Sequence, residues 1–342
     1  MAEIMNHESI RDVDRILIIM RKLTCCLGCA ALVITAAPAL RAEDPFARGP
    51  DMLIAEMTQP AELLGLSLIP SGEFAMGDSL DGDKDSLLHK VIVSAFYLQR
   101  KEVTKVQWDE VRAWGLKHGY SDLMDGTGRV ADHPVRVVSW YDALKWCNAR
   151  SEKDGLTPCY YMDVAQRVVY RTGEKDLADT MVKWAADGYR LPTEAEWEMA
   201  ARGGLIGKRF PWGDTISHDQ SSFYNSGNEA YQSGSVGYNS VEEPYTSATG
   251  SFAPNGYGLY DMAGNVSEWC WDWYAKYPPD QQTNPRGPES GSDRVVRGGS
   301  WASKAAHCRV AYRYHCIPGS YADVGLRPVR GPVPSMNPRA NQ

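Results

Sequence analysis

Residues 255–269 of the chain read NGYGLYDMAGNVSEW. Within this stretch two carboxylates, Asp261 and Glu268, bracket a tight Gly264-Asn265 turn whose carbonyl groups can point in the same direction. Hard oxygen ligands of this kind are the ones that Ca²⁺ prefers in proteins. The spacing therefore predicts a calcium site, and the alternative interpretation is a polar turn that hydrogen bonds alone hold together.

The chain before this stretch is irregular. Residues 210–255 are rich in Gly, Ser, Asn and Tyr and have little periodicity. A segment of that length inside one domain normally needs an organiser, such as a metal. The whole chain contains 31 glycines and 20 prolines, so we expect many turns and few long helices.

Three short helices are predicted further upstream. Thr104, Ser139 and Thr193 are candidate N-caps, because a hydroxyl there can accept a hydrogen bond from the open amides of the first turn. We expect the first helix to run to about Trp114 and the third to stop at the glycines after residue 202. On the second helix, apolar residues at helical spacing form one face: Trp140, Ala143, Leu144 and Cys147.

Two segments are typical of β-strands. Residues 68–78 are predicted to form a strand, a turn and a second strand. Residues 91–98 are an apolar run with β-branched residues, which predicts one continuous strand.

The overall composition restricts the class of partner. Of the 342 residues 43% are hydrophobic and 23% are charged, and the formal net charge is -7. This balance is typical of a globular protein, and a negative chain without a basic face is a poor ligand for nucleic acid. The chain has 11 Trp and 18 Tyr against 6 Phe, which favours a loop-rich domain with buried hydrogen bonds or a binding surface.

The N-terminus has the pattern of a secretory signal. Arg21 and Lys22 precede an apolar run at residues 27–40, and small residues follow it. We expect cleavage after Ala42, with Met20 as an alternative start of the chain. An uncleaved membrane anchor is the alternative, for which the run is short.

These boundaries predict a protein exported to the periplasm or secreted, without a membrane segment after cleavage. We assign residues 1–42 to the signal region and 43–60 to a leader. One domain spans residues 61–331, and residues 332–342 form a tail. We expect a monomer.

Five cysteines remain in the mature protein: Cys147, Cys159, Cys270, Cys308 and Cys316. An exported protein can form disulfides, but an odd number leaves at least one thiol outside them. A Cys147–Cys159 bridge is the most plausible local pair, because the turn at residues 155–158 can bring the two close together.

Eight segments together resemble the formylglycine-generating enzyme (sulfatase-modifying factor) family, and they occur in the family's order. The resemblance implies the family's compact, irregular α+β fold, which is related to C-type lectins and poor in regular secondary structure. The segments are residues 69–77, 102–104, 133–140, 189–198, 210–214, 255–269, 297–301 and 325–327.

The resemblance also implies two calcium sites. The first would use the side chains of Asp261 and Glu268 and the carbonyl groups of Gly264 and Val266. The second would use Asn225 and the carbonyl group of Ser226. Its other half should lie near two further residues, although the spacing there differs from the family pattern by about two positions: Asn239 and Val241.

The C-terminal segment departs from the family. Active relatives carry Cys-Tyr-Arg-Tyr-Arg-Cys, whose two cysteines bind copper(I) and activate oxygen to oxidise a substrate cysteine to formylglycine. Here residues 311–316 read AYRYHC. Cys316 matches the second cysteine, but Ala311 occupies the first position and cannot ligate copper.

Two residues could replace the missing cysteine as a copper ligand. Cys308 lies three residues before Ala311, and in a strand this odd shift points its side chain to the opposite face. His315 lies next to Cys316 and would make a mixed site. The alternative is that Cys308 and Cys316 are core or disulfide cysteines.

The sequence therefore predicts an exported family member that lacks the two-cysteine copper site and binds a protein, peptide or other ligand. The first alternative is a formylglycine-generating oxidase that acts through Cys316 alone or with Cys308. The second is a periplasmic oxidase of the pyoverdine-maturation type. An acidic cluster on the third predicted helix is assigned to the helix dipole and not to catalysis: Glu194, Glu196 and Glu198.

Overall fold

The computed structural model describes residues 65–80, 85–239 and 246–332. The predicted signal region, the predicted leader and the tail beyond residue 332 lie outside these ranges, and so does Val241 of the second predicted calcium site. No helix in the described ranges is long and apolar enough to cross a membrane.

Three α-helices form where the sequence predicts them. Helix α1 spans Lys105–Gly115, α2 spans Trp140–Lys153 and α3 spans Glu194–Arg202. Each begins at a capping box, in which the cap hydroxyl accepts a bond from the amide of the third helical residue and that residue's side chain accepts one from the cap amide. A cap of this kind stabilises a protein by about 1 kcal/mol. The caps are Thr104, Ser139 and Thr193.

Eleven short strands in the described residues form three sheets, in the orders β1-β4-β11-β5, β10-β6-β8-β9 and β2-β3-β7. Two pairs are parallel, β10 with β6 and β3 with β7, and the others are antiparallel. The strands are β1 (Leu66–Ile69), β2 (Gly72–Met76), β3 (His89–Val93), β4 (Phe96–Gln99), β5 (Tyr189–Arg190), β6 (Ser267–Trp273), β7 (Gln282–Thr283), β8 (Arg294–Arg297), β9 (Tyr314–Cys316), β10 (Val324–Gly325) and β11 (Val329–Pro332). The mixture of separate helices and small sheets confirms the α+β class.

The prediction of one strand over residues 91–98 is wrong. The chain leaves β3 at Ser94 and enters β4 two residues later, in a different sheet. Asn284 holds the bend: its Oδ1 accepts a bond from the Ser94 amide at 2.7 Å, and its Nδ2 donates to the Ser94 hydroxyl at 3.0 Å. The residue that fixes the bend is 190 positions away, so the local apolar pattern contains no sign of it.

Helix α2 is central to one of the hydrophobic clusters. Helix α1 packs against it through Trp108 and Trp146, whose rings are nearly parallel with centroids 5.8 Å apart. Burial of large apolar side chains stabilises a fold by about 1.5–3 kcal/mol each. The predicted apolar face of α2 is confirmed as fully buried: Trp140, Ala143, Leu144 and Cys147.

The predicted disulfide between Cys147 and Cys159 is wrong. Both are free thiols in the core, and burial raises the pKa of each thiol above its usual value. Hydrogen bonds from Asn148 join the two segments: its Oδ1 accepts from the amides of Cys159 and Tyr160 at 3.1 and 3.0 Å, and its Nδ2 donates to the carbonyl groups of Tyr160 and Tyr170. The turn at residues 155–158 is thus closed by an amide side chain.

Candidate functional site

The acidic residues of α3 are all engaged in buried ion pairs. Both oxygens of Glu196 accept bonds from Arg190 at 2.7 Å. Glu198 lies between Arg202 and Arg297, at 2.6 Å from a nitrogen of each. These carboxylates therefore hold the strands and the helix together. Such pairing removes them as free acids or bases. The partners of these carboxylates are buried arginines, which the assignment to the helix dipole did not include.

Glu268, the second carboxylate of the predicted calcium site, is also paired. Arg327 donates to its two oxygens at 2.7–3.1 Å, and Trp197 donates its indole N–H to Oε2 at 2.7 Å. A carboxylate offers about four lone-pair positions, and these contacts use them. The pairing with Arg327 therefore competes with the predicted role of Glu268 as a calcium ligand.

Asp261, the first carboxylate of that site, is in a different state. Its Oδ2 accepts a bond from the Gly250 amide at 2.6 Å, whereas its Oδ1 is buried without a hydrogen-bond partner. Burial is the main cause that raises the pKa of Asp261 to about 6. A buried carboxylate oxygen of this kind is costly unless a cation or a water molecule satisfies it.

The surroundings of Asp261 carry excess negative charge. Glu102 is fully buried, and burial, followed by the charges of Asp261 and Glu268, raises its pKa well above the usual range. Arg327 is the cation that lowers the pKa of both Glu102 and Asp261. Three carboxyl groups thus share one buried arginine, Lys101 adds a weaker effect that lowers the pKa of Asp261, and a further cation beside Asp261 fits this balance.

Hydrogen bonds also hold the turn between the two carboxylates. Glu102 accepts bonds from the side chain of Asn265 at 2.6 Å and from the amide of Val266 at 3.1 Å. The amide of Gly264 donates to the carbonyl group of Gly298 at 2.8 Å. The predicted ligand residues Gly264 and Val266 are therefore held in place by their amides.

The second predicted calcium site is only partly described. Asn225 is buried, its Oδ1 accepts a bond from the Gly227 amide at 2.9 Å, and a bridge to Gly237 brings the segment before Asn239 alongside it. The hydroxyl of Ser226 donates to Glu229 at 2.8 Å. The carboxamide oxygen of Asn225 thus already closes a turn. Within the described ranges no group of three or more His, Cys, Asp or Glu residues is arranged to hold a metal ion.

A cleft of about 380 Å³ lies against the sheet β10-β6-β8-β9, and we call it the sheet cleft. Its far wall contains the stacked rings of His307 and Tyr312, with centroids 4.5 Å apart. Lys304 and Asp323 add opposite charges to the lining. Each strand of the sheet contributes one lining residue: Ser267, Val296, Tyr314 and Val324.

The C-terminal segment that departs from the family borders this cleft. Tyr312 and Tyr314 line it, Ala311 is fully buried, and the half-buried thiol of Cys316 is hydrogen-bonded to the Tyr314 side chain. Burial and the charge of Asp293 raise the pKa of the Cys316 thiol. The one matched cysteine therefore lies beside the cleft, behind a tyrosine.

Cys308 does not lie on a strand, so the argument from strand alternation does not apply to it. It ends a short 3-10 helix, Ala305–Cys308, and its fully buried thiol packs with Phe210 and Phe223 in another hydrophobic cluster from the one that Cys316 contacts. Burial raises the pKa of this thiol well above its usual value. This helix could not be predicted from a capping pattern, because the segment has no side-chain N-cap hydrogen bond.

His315 points away from the neighbouring cysteine. Adjacent residues of a strand face opposite sides, and the ring of His315 stacks on Tyr274 with centroids 4.2 Å apart. Its Nδ1 lies 3.6 Å from an oxygen of Asp293. These contacts place the imidazole on the other side of β9 from the Cys316 thiol.

Comparisons with known proteins agree with this fold. The sulfatase-modifying factor enzyme 1-like domain matches residues 54–332. The chain is 34% identical to the chaperone protein LppX of Paenibacillus barcinonensis, over 78% of this chain and 87% of that protein. It is also 34% identical to the formylglycine-generating enzyme of Thermomonospora curvata, over 79% of this chain and 94% of the enzyme.

A solved structure gives the same result. Treponema denticola variable protein 1 superposes with a TM-score of 0.61 at 32% identity, over 78% of this chain and 95% of that one. A domain match across most of the chain and full-length relatives at one-third identity agree with the motifs found in the sequence. The chain therefore belongs to the sulfatase-modifying factor enzyme 1-like family, which includes the formylglycine-generating enzymes.

Proposed function

We propose that the protein is an exported member of the family that binds a polypeptide in the sheet cleft and does not carry out copper-dependent oxidation. The observation that carries the proposal is the replacement of the first family cysteine by Ala311, a fully buried residue beside the cleft. An alanine supplies neither a ligand for copper(I) nor a thiol for exchange.

The other thiols do not fit a two-thiolate copper site. Copper(I) binds thiolates, and burial raises the pKa of both Cys308 and Cys316 and so disfavours that form. The two side chains also contact different hydrophobic clusters. No step of the proposed function therefore passes through copper.

The lining of the sheet cleft supports binding of an extended polypeptide. Strand β9 is at the edge of its sheet, and Tyr314 on it is 51% exposed. An edge strand can pair with an added strand through its free backbone groups, while pockets beside it select side chains. The His307–Tyr312 stack supplies a flat apolar surface, and Lys304 supplies a charge.

The relatives support both this proposal and its main alternative. LppX is called a chaperone protein, a function that consists of binding another polypeptide, and it matches most of the chain. The formylglycine-generating enzyme matches to the same degree. This similarity supports the first alternative, an oxidase that acts through Cys316. For the second alternative, an oxidase of the pyoverdine-maturation type, no contact of the described residues gives specific support.

Calcium is part of the proposal as a structural ion. Asp261, with its partnerless buried oxygen, would be the anchoring ligand, and the carbonyl groups of Gly264 and Val266 would complete one side. Asn225 and Ser226, with Asn239 and Val241, would form the second site. Export to the periplasm or the exterior, where calcium is plentiful, rests on the signal pattern of the N-terminus.

The test measures oxidation and binding side by side. The mature protein is incubated with copper(I), oxygen and a peptide that contains Cys-x-Pro-x-Arg, and the peptide mass is followed beside an active two-cysteine relative. We expect no conversion by the wild type. Formation of formylglycine that disappears in Cys316→Ser would overturn the proposal in favour of the first alternative.

The binding half uses an array of ten-residue peptides and the variant Tyr312→Ala. We expect the wild type to bind a subset of apolar sequences and the variant to lose at least about tenfold in affinity for them, the equivalent of one stacking contact. Equal binding by the wild type and the variant would mean that the polypeptide does not bind in the sheet cleft. Glu110→Ala, an exposed residue on α1, is the matched surface control.

A further inference from the structure

A second cleft, of about 350 Å³, lies at the N-terminal end of α3, and the proposed function does not use it. Residues 275–288 form one wall, and the last residues of β6 with the first residues of α3 form the floor. We call it the loop cleft. Its walls are largely apolar and aromatic: Met76, Trp273, Tyr277, Pro278, Pro285 and Pro288.

The floor of the loop cleft contains one buried carboxyl group with spare capacity. Asp272 is 4% exposed, and its Oδ2 accepts a hydrogen bond from the Glu194 amide at 2.8 Å. Among the described residues this is the only hydrogen bond that the Asp272 side chain makes. Burial, and next the charge of Glu194, raise the pKa of Asp272 well above its usual range. Both effects favour the protonated form of the carboxyl group, which can donate a hydrogen bond from the floor of the cleft.

The neighbouring carboxylate, in contrast, is paired with two arginines. Glu194 accepts bonds from Arg313 at 2.6 and 2.7 Å, from Arg297 at 3.0 Å and from the Tyr277 hydroxyl at 3.0 Å. Its Oε1 accepts three of these bonds and its Oε2 accepts one, so little capacity remains for a ligand. Asp272 is therefore the carboxyl group of the floor with the most capacity for a ligand.

The charge around the loop cleft is positive once Asp272 is neutral. Arg313 and Arg297 both pair with Glu194, Arg297 is shared with Glu198, and the N-terminus of α3 adds the positive end of its dipole. Lys276 lines the mouth, is exposed and has no ion pair among the described residues. The cleft therefore favours an anionic ligand over a cationic one.

We propose that the loop cleft is a binding site for a small aromatic carboxylate. The ring lies against Trp273, Tyr277 and the proline wall. One carboxylate oxygen accepts a hydrogen bond from the carboxyl O–H of Asp272, and Lys276 attracts the charge from the mouth. A cleft of about 350 Å³ is at the small end of ligand sites, which suits a molecule with one ring.

Three probes of the same shape and different charge test the site: benzoate, benzamide and benzamidine. Binding is followed on the mature protein by saturation-transfer NMR and by tryptophan fluorescence. We expect benzoate to bind at least about tenfold more tightly than benzamidine, with benzamide in between. Tighter binding of benzamidine would mean an ionised Asp272 and a cation site, and absence of binding by all three would end the proposal.

Variants connect the binding to its residues. Asp272→Asn keeps a donor and should retain benzoate within about threefold, whereas Lys276→Ala should weaken benzoate about tenfold and leave benzamide unchanged. Lys117→Ala, an exposed lysine of another surface, is the matched control. Unchanged benzoate binding in Lys276→Ala, with a melting temperature equal to that of the wild type, would refute the assignment. Because peptide binding in the sheet cleft is measured separately, failure here leaves the proposed function untouched.

Discussion

Substitution of Arg327 by methionine is expected to destabilise the domain more than most single changes. The guanidinium group is fully buried and donates to both oxygens of Glu268 and to the carbonyl groups of Gln99 and Tyr260. Methionine keeps an unbranched apolar side chain but leaves Glu268 as a buried charge without its partner. Breaking a buried pair in this way costs about 3–5 kcal/mol, which for a domain of this size corresponds to a fall in melting temperature of roughly 10 °C.

The measurement is urea unfolding followed by tryptophan fluorescence, with calcium and with a chelator. The double variant Glu268→Gln/Arg327→Met removes the orphaned charge, and we expect it to recover at least about half of the lost stability. A loss below about 1 kcal/mol for Arg327→Met in the chelator buffer would refute the ion pair as the main contact of Glu268. If the loss is small only when calcium is present, the ion and not Arg327 neutralises this carboxylate.

Three further predictions follow from buried groups. Chelation of calcium should lower the melting temperature of the wild type. An ion that binds only the native state stabilises it by about 2.7 kcal/mol when its free concentration is 100 times its Kd. The melting temperature of Asp261→Asn should not change on chelation, and equal changes in the two proteins would contradict the calcium site. Burial lowers the pKa of His133, so below about pH 6.5 the unfolded chain binds more protons than the folded one. The free energy of unfolding should therefore fall as the pH falls through that value. Urea titrations at several pH values measure this dependence, and His133→Gln should make it weaker. Because Cys147 and Cys159 are free thiols, a reductant should leave the melting temperature unchanged, and a fall of several degrees would indicate a disulfide.

The sequence predicted the local parts of the fold well. A capping box involves only four consecutive residues. Thr104, Ser139 and Thr193 therefore identified three helix starts without any information on the rest of the fold. The bend at Ser94 escaped prediction because Asn284, distant in the chain, creates it. The prediction of a Cys147–Cys159 disulfide failed for a related reason. It rested on the short spacing of the two thiols, whereas the side-chain amide of Asn148 joins the two segments through hydrogen bonds.

The candidate sites depended on long-range pairing that the sequence does not display. Glu268 is recognisable as a carboxylate of the metal-like motif, but its pairing with Arg327 joins two motifs 59 residues apart. Asp272 carried no pattern at all, because its importance comes from burial beside Glu194 and from the wall of residues 275–288. Sequence spacing can identify the residue types of a site. The charge balance of a buried cluster becomes known only when the structure shows which arginines, distant in sequence, lie beside it.

The most direct test of the central claim is a copper(I) titration against a chromogenic chelator under anaerobic conditions. The wild type and Ala311→Cys are compared, since the variant restores the family pattern at residues 311–316 with the smallest change. We predict that the wild type does not compete for copper(I) and that Ala311→Cys competes with a stoichiometry of one, in a manner that Cys316→Ser abolishes. Competition by the wild type at the same strength as an active two-cysteine relative would contradict the account.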